Sequence, residues 1–200
     1  MVKRLGDIAF IAASAIIIVP TVVLLALVVL VSDGRPIFFR QKRIGRLGKP
    51  FTLFKLRTLK TDNDPLNPAD FVITGGGFMR RFGLDELPQF LNILRGEMSI
   101  VGPRPILPAE VQKYDDVQRR RLDVLPGITG WAQTHGRNLL GWEERIQKDL
   151  WYVDNASLLL DVQILLMTPA AVFKNTGLYG PGNLDPTESL PSSAEAAEKV

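Results

Sequence analysis

Two adjacent acids, Asp85 and Glu86, are the strongest candidates for catalytic residues in this sequence. They begin a predicted helix, since leucines follow at helical spacing and Pro88 is tolerated only in a first turn. A helix N-terminus keeps a carboxylate ionised and attracts phosphate. An ionised aspartate beside a bound phosphate is what an acyl-phosphate intermediate requires, and Glu86 could hold a magnesium ion. The alternative is that both acids only stabilise the first turn.

Three basic residues could bind phosphate near such a site. Gly102-Pro103-Arg104-Pro105 fixes the backbone around one arginine, which suits a pyrophosphate group. The alternative is a rigid turn with an exposed arginine. Lys55 and Arg57 lie two residues apart on a predicted strand, so both project from one face. They form either a phosphate clamp or a solvated edge.

A glycine-rich loop over residues 125–138 holds further polar candidates. Its glycines would let a ligand approach the backbone, while Gln133 and Arg137 could read a base or a diphosphate. The competing interpretation is a structural loop. His135 alone is a weak candidate, and we interpret it as a surface or hydrogen-bonded histidine.

Two other charged features have mainly structural interpretations. Asp161 lies in an apolar stretch, where burial would cost several kcal/mol unless the carboxylate is paired. An arginine or a metal ion could neutralise the buried carboxylate, and we favour an arginine. The run Arg119-Arg120-Arg121 predicts a solvated or headgroup-facing surface.

Composition removes several classes of chemistry. The 200 residues include no cysteine and one histidine, which excludes disulfides, thiolate nucleophiles and multi-histidine metal sites. Any metal should therefore be a hard ion bound by oxygen, such as Mg²⁺. The formal net charge is +3, and acids dominate the last twenty residues, so the rest of the chain is more basic. Such a body suits anionic lipids or phosphorylated substrates, and we do not expect it to bind nucleic acid.

The N-terminal region reads as a membrane segment. No charged residue occurs from Ile8 to Val31, which as a helix would measure about 36 Å, enough for a bilayer core of about 30 Å. Pro20 lies at its middle, and basic residues flank both ends. These features favour a re-entrant helix that breaks at Pro20 and returns to the same face. A spanning helix and a cleaved signal peptide are the alternatives.

The remaining pattern predicts an α+β, mainly helical protein. It has a small β-hairpin and amphipathic interface helices around a compact catalytic core. The predicted elements are a hairpin of residues 37–44 and 51–59, a loop over 61–77, and helices over 84–96, 110–122, 142–153 and 157–174. We divide the chain into a membrane-inserted segment of residues 1–34, a cytoplasmic catalytic domain of residues 35–180 and a disordered acidic tail of residues 181–200.

The order of these motifs resembles a known family. After the apolar segment come Lys55-Leu56-Arg57-Thr58, Leu84-Asp85-Glu86-Leu87-Pro88-Gln89 and the segment from Gly96 to Pro105. A Pro-Gly-Ile-Thr-Gly loop with Gln133 and then Gly136-Arg137-Asn138 follow. Over about residues 1–177 this resembles the bacterial sugar transferases, the small monotopic phosphoglycosyl transferases that begin polysaccharide and glycoconjugate assembly.

The resemblance implies a specific reaction. Family members move a phospho-sugar from a UDP-sugar to a polyprenyl phosphate such as undecaprenyl phosphate, with Mg²⁺ and by a ping-pong route that releases UMP. Asp85 would be the nucleophile, and Glu86 would bind magnesium or assist. Arg80 and Arg104 would hold phosphates, with Lys55 as a further candidate, and the loop from Gln133 to Arg137 would lie near the nucleotide.

The family also implies a location at the cytoplasmic face of the bacterial inner membrane, in contact with membrane lipids. Relatives often have a serine before the membrane proline, whereas this chain has Val19; Ser14 or Thr21 could still cap freed carbonyls. A homodimer stays an open alternative. The competing functions are a membrane-anchored UDP-sugar hydrolase and a non-enzymatic membrane scaffold.

Overall fold

The first element of the computed structural model is one long apolar helix. The structure describes residues 2–61, 71–136 and 140–174. Helix α1, Val2–Asp33, is long and apolar enough by length and composition to cross a membrane, and only 11% of its most apolar window is buried. The described part of the chain has one such helix. The acidic tail predicted for residues 181–200 lies outside the described residues.

The rest of the described chain is mainly helical, with two small sheets. Strands β1 and β2 form an antiparallel hairpin, and β3 and β4 form a parallel pair. The elements in order are β1 Phe38–Ile44, β2 Pro50–Leu56, α2 Gly76–Phe82, α3 Phe90–Arg95, β3 Ser99–Val101, α4 Pro108–Val111, α5 Asp116–Arg119, β4 Gly127–Thr129, α6 Trp131–Thr134, α7 Trp142–Asn155 and α8 Leu158–Lys174. Short 3₁₀ helices occupy Arg46–Gly48, Leu84–Gln89 and Arg120–Asp123.

The predicted hairpin and the two C-terminal helices are confirmed. In the hairpin register Phe39 lies opposite Lys55, and Arg43 lies opposite Phe51. The helix predicted from Leu84 begins as the 3₁₀ helix, continues as α3 and ends at Gly96, whose φ of 82° suits glycine.

Two predicted elements are wrong. The helix expected over residues 110–122 is three short helical segments instead, because the chain turns between α4 and α5 before the 3₁₀ helix Arg120–Asp123. The loop expected over residues 125–138 contains strand β4 and helix α6. Strands of three residues are too short to produce a visible alternation in sequence.

Glycines in this region bring two segments of backbone together. A Cβ on Gly127 would lie 2.1 Å from the amide nitrogen of Gly102, and one on Gly130 would lie 2.2 Å from the Gly102 carbonyl oxygen. The sequence interpretation that the loop glycines admit a ligand is therefore wrong for these positions. Gly127 and Gly130 instead allow the backbone at Gly102 to approach closely.

Both ends of α1 pack on the same body. Ile11 joins the main core cluster, which includes Ile93 and Ile164, whereas Leu25 and Val29 join a second cluster under the hairpin. The segment between them is mostly exposed. The long helix is thus part of the fold at each end.

The predicted break at Pro20 is not confirmed, since α1 continues as a helix through that residue. Proline leaves the carbonyl of Ile16 without its usual donor. The Thr21 hydroxyl donates to Ile17 O at 2.8 Å, and Ser14 donates to Phe10 O at 2.7 Å. Neither of these bonds supplies the cap at Ile16.

Candidate active site

The two acids predicted to do chemistry are both buried. Asp85 and Glu86 lie in the first turn of the 3₁₀ helix Leu84–Gln89, with exposed fractions of 5% and 8%. The turn begins at Gly83, whose left-handed φ of 67° reverses the chain after α2. A buried carboxylate needs a charged or hydrogen-bonding partner, because dehydration of the ion is costly.

Glu86 has such partners from two other elements. Its Oε1 lies 3.2 Å from Lys55 Nζ, on β2, and 2.9 Å from Arg104 Nη2, on the loop after β3. Strand β2 packs directly against this 3₁₀ helix. Three of the predicted site residues, separated by up to 49 positions in sequence, therefore meet around one carboxylate oxygen.

Arg80 lies close by, on α2. Its guanidinium is buried, and Nε donates to Thr58 Oγ1 at 2.8 Å. Helix α2 packs on the same 3₁₀ helix that carries Asp85. The centre thus combines two carboxylates with three cations, which is a surface able to accept a group carrying several negative charges.

The described residues suit a metal held jointly with a substrate. They contain no group of three acids or histidines that could hold a metal ion unaided. Mg²⁺ in proteins is often bound by one or two carboxylates together with water and substrate phosphates. Asp85 and Glu86 fit that donor set.

Arg57 belongs to a different structural unit. Its guanidinium forms an ion pair with Asp33 and donates to the carbonyls of Gly34 and Pro36 at 3.0 and 2.6 Å. For Arg57, neither the phosphate clamp nor the solvated edge describes its position. Arg57 fixes the chain where α1 leads into the hairpin.

The glycine-rich loop is described only in part. Arg137 lies outside the described residues. The side-chain amide of Gln133 is buried, and neither its nitrogen nor its oxygen has a hydrogen-bond partner among the described residues. The ring centroids of His135 and Trp131 lie 3.7 Å apart, and His135 Nδ1 lies 2.9 Å from Trp131 O. The prediction of a hydrogen-bonded histidine is confirmed.

Asp161 is paired, but its cationic partner is not an arginine. It forms an ion pair with Lys3 at the start of α1, and its Oδ1 accepts a hydrogen bond from the Tyr152 hydroxyl at 2.6 Å. The long-range partner could not be inferred from local sequence. Nearby, Asp7 Oδ1 accepts from Ser99 Oγ and from the amide of Ile100 at 3.1 and 3.2 Å.

The sequence interpretation overlooked Arg121, which it placed on a solvated surface. The structure buries Arg121, with 4% of its side chain exposed, and pairs Nη2 with Asp149 Oδ2 at 2.7 Å. Its Nη1 donates to the Tyr114 hydroxyl at 2.6 Å. Burial acts to lower the pKa of Arg121, but Asp149 and Tyr114 outweigh burial and raise it, so the guanidinium stays charged. Arg119 and Arg120 are exposed, as predicted.

Comparison with known proteins gives one consistent result. A family model described as bacterial sugar transferase matches residues 1–175. The chain is 42% identical to the "Uncharacterized sugar transferase EpsL" of Bacillus subtilis (strain 168), over 89% of this chain and 90% of the relative. It is 37% identical to the "Exopolysaccharide production protein ExoY" of Sinorhizobium fredii, over 88% of each chain.

A third relative has a name that states a reaction. The "UDP-glucose:undecaprenyl-phosphate glucose-1-phosphate transferase" of Escherichia coli (strain K12) is 38% identical over 90% of this chain. The match covers 42% of that longer protein.

Proposed function

This chain belongs to the bacterial sugar transferase family, and we propose that it transfers a sugar phosphate from a UDP-sugar to undecaprenyl phosphate. Family membership makes it an enzyme. The named reaction of the Escherichia coli relative supports the donor and acceptor classes. The observation that carries the proposal is the contact of Glu86 with Lys55 and Arg104, immediately beside the buried Asp85.

In the proposed mechanism, Asp85 is the covalent nucleophile. A carboxylate oxygen of Asp85 attacks the phosphorus that carries the sugar, the bond from that phosphorus to the bridging oxygen breaks, and UMP leaves with the electron pair. An oxygen of undecaprenyl phosphate then attacks the same phosphorus. The aspartyl bond breaks, Asp85 is regenerated, and the product is a polyprenyl-diphosphate-sugar.

The cations around Glu86 would stabilise charge on the donor. A diphosphate carries more negative charge than one carboxylate, so Lys55 and Arg104 gain by contacting it when the donor binds. Arg80, on the adjoining helix, would contribute a third positive charge. Gln133 and Arg137 remain candidates for contact with the nucleotide.

We also propose Mg²⁺ as the cofactor, held by Asp85 and Glu86 together with substrate phosphates. When bound, the ion would neutralise phosphate charge and orient the leaving group. Lys55 and Arg104 both contact Oε1 of Glu86. The donor would attract these two cations and the ion would attract this carboxylate, so binding of one should affect binding of the other.

The proposed location is the cytoplasmic face of the bacterial inner membrane, with both ends of α1 held at that face. Both ends of α1 pack on the same body, which supports this topology. A spanning helix would place one of its ends across the bilayer core, about 30 Å from the catalytic body. Exposed apolar side chains on α2 and α8, among them Phe78, Leu166 and Phe173, would add contacts with membrane lipids.

The test is UMP release by the purified protein in detergent with Mg²⁺, screened across UDP-sugars with and without undecaprenyl phosphate. We expect steady turnover only with the acceptor, and about one UMP per enzyme without it, since the covalent step stops there. Many turnovers without acceptor would indicate the hydrolase instead. Absence of both UMP release and UDP-sugar binding in folded protein would favour the scaffold.

Variants of Asp85 test the covalent step. Asp85→Asn should lose both the single release and the steady turnover by at least about a thousandfold, as for removal of other enzymic nucleophiles. Asp154→Asn, on the exposed face of α7, is the matched control and should keep full activity. Near-normal turnover by folded Asp85→Asn would overturn this mechanism.

A further inference from the structure

The loop that carries Arg104 has few backbone N–H groups with which to fix its position. Pro103 and Pro105 have no amide hydrogen, so few N–H donors are available to anchor the segment. The amide of Gly102 donates to Thr129 O at 2.9 Å, and beyond that bond the loop is held mainly through its carbonyl oxygens. Arg104 extends from this loop to Glu86, where a small backbone shift would move the guanidinium away from its partner.

Three consecutive carbonyls of this loop each accept a hydrogen bond from a different element. The Pro103 oxygen accepts from the amide of Gly127, at the start of β4, at 2.9 Å. The Arg104 oxygen accepts from Arg121 Nη2 at 3.0 Å, and the Pro105 oxygen accepts from Arg43 Nη1 at 3.1 Å. Two of the three donors are buried arginines.

Arg121 is itself held on two further sides. Its ion pair with Asp149 and its bond to the Tyr114 hydroxyl fix the guanidinium plane while Nη2 also reaches Arg104 O. The rigid fork of arginine can serve three acceptors at once, whereas a lysine ammonium on a flexible stem cannot hold that geometry.

Stability alone does not explain this buried ion pair. Dehydration of two charges costs about as much as their attraction returns, and an apolar pair of similar volume is often equally stable or more stable. A well-packed apolar pair would, however, provide no donor for the Arg104 carbonyl. The ion pair is thus better explained by the geometry that it imposes on the loop.

We propose that Arg121 is a positioning residue for sugar-phosphate transfer, which places Arg104 against the donor diphosphate by fixing its carbonyl. This inference rests on the proposed function, because it assigns Arg104 to the diphosphate. Arg121 itself would touch neither substrate. Its contribution should therefore disappear when Arg104 is absent.

The first experiment separates geometry from stability with the double variant Arg121→Met/Asp149→Leu. Removal of the buried charges offsets the loss of the donor to the Arg104 carbonyl, so we expect a melting temperature within a few degrees of the wild type, while kcat/KM for the UDP-sugar falls about 10- to 100-fold. The matched control is Arg120→Met/Asp154→Leu, which removes the neighbouring surface pair and should leave both quantities unchanged. A stable double variant with wild-type kcat/KM would overturn the proposal.

The second experiment measures coupling between Arg121 and Arg104. Arg121→Lys should lower kcat/KM for the UDP-sugar in the wild-type background but by less than about twofold in an Arg104→Ala background. A merely structural role would reduce the active fraction, lowering kcat at unchanged KM and by the same factor in both backgrounds, and would overturn the proposal. If Arg121→Lys does not fold, Tyr114→Phe replaces it, because it removes one support of the guanidinium.

Failure of the wild type to release UMP would reject the proposed function itself. Activity in the wild type without coupling would reject only the role of Arg121.

Discussion

Lys55 Nζ lies 3.2 Å from Glu86 Oε1, at a position where only 6% of the lysine side chain is exposed. Both charges are buried and depend on nearby opposite charges for stabilisation, and Arg104 contacts the same oxygen of Glu86 at 2.9 Å. The hairpin is thereby tied to the 3₁₀ helix that carries Asp85. The pair is therefore important both for the fold and for the chemistry proposed at this centre.

Removal of one member should expose this dependence. We expect Glu86→Gln to lower the free energy of unfolding by about 3 kcal/mol, since Lys55 and Arg104 then lose the charge of the carboxylate that they share. Adding Lys55→Met should restore much of the stability and none of the transfer activity. Chemical denaturation and UMP release measure the two effects.

A surface pair provides the control for that experiment. Glu144→Gln removes an ion pair on α7 at 3.6 Å, with 55% of the Glu144 side chain exposed. It should change the free energy of unfolding by less than about 0.5 kcal/mol. An equal loss in Glu86→Gln and Glu144→Gln would contradict the burial argument.

The topology of α1 can be tested with single cysteines, since the sequence has none. We expect Val2→Cys and Arg35→Cys to be protected from a membrane-impermeant maleimide in intact spheroplasts and labelled after lysis. Gln112→Cys, exposed on the body, reports the side of the catalytic domain. Labelling of residue 2 in spheroplasts, with residue 112 protected, would establish a spanning helix.

Substitution at the backbone crossing should be costly. Gly127→Ala would place its Cβ within 2.6 Å of the backbone of both Gly102 and Thr129, so we expect a loss of about 3 kcal/mol in unfolding free energy. Gly77→Ala is the control: its Cβ would meet nothing within 4 Å in α2, and alanine should add about 0.5–1 kcal/mol. Thermal unfolding measures both, and similar melting temperatures would refute the prediction.

Alkaline pH should destabilise the fold through two tyrosines. Burial raises the pKa of Tyr152 above its ordinary value of 10.0, assisted by its hydrogen bond to Asp161, and burial also raises the pKa of Tyr114 against the influence of Arg121. The folded state then keeps protons that the unfolded chain releases near pH 10. This stabilisation is complete below about pH 10 and is lost as pH rises further.

We therefore expect the melting temperature to fall by several degrees between about pH 9 and pH 11. Tyr152→Phe should show a smaller fall over the same interval, whatever its stability at neutral pH. Identical pH profiles for wild type and Tyr152→Phe would contradict the assignment.

Local patterns in the sequence predicted the elements that depend on local physics. Strand alternation gave the hairpin, helical spacing gave α7 and α8, and glycine gave the end of α3 at Gly96. Asp85, Glu86, Lys55 and Arg104 were chosen by residue type, and the fold brings the last three into contact.

Local sequence patterns do not predict ion pairs between residues far apart in the chain. Arg121 sits between two exposed arginines, and only the fold places Asp149 within 2.7 Å of it. The apolar surroundings of Asp161 in the sequence correctly predicted a positively charged partner. The structure shows that this partner is Lys3, near the opposite end of the chain, and not an arginine. Burial of a charge is decided by tertiary packing, and a single sequence carries no direct record of that packing.

The ion pair between Lys3 and Asp161 joins residues 158 positions apart. At about 5–20 residues per second, the ribosome finishes Asp161 roughly 8 to 30 s after Lys3. Throughout that interval the first helix must find a stable environment without its partner, and a lipid bilayer offers one for its apolar side chains. Under the proposed membrane location, α1 would insert while the chain is still growing, and α8 would secure it afterwards.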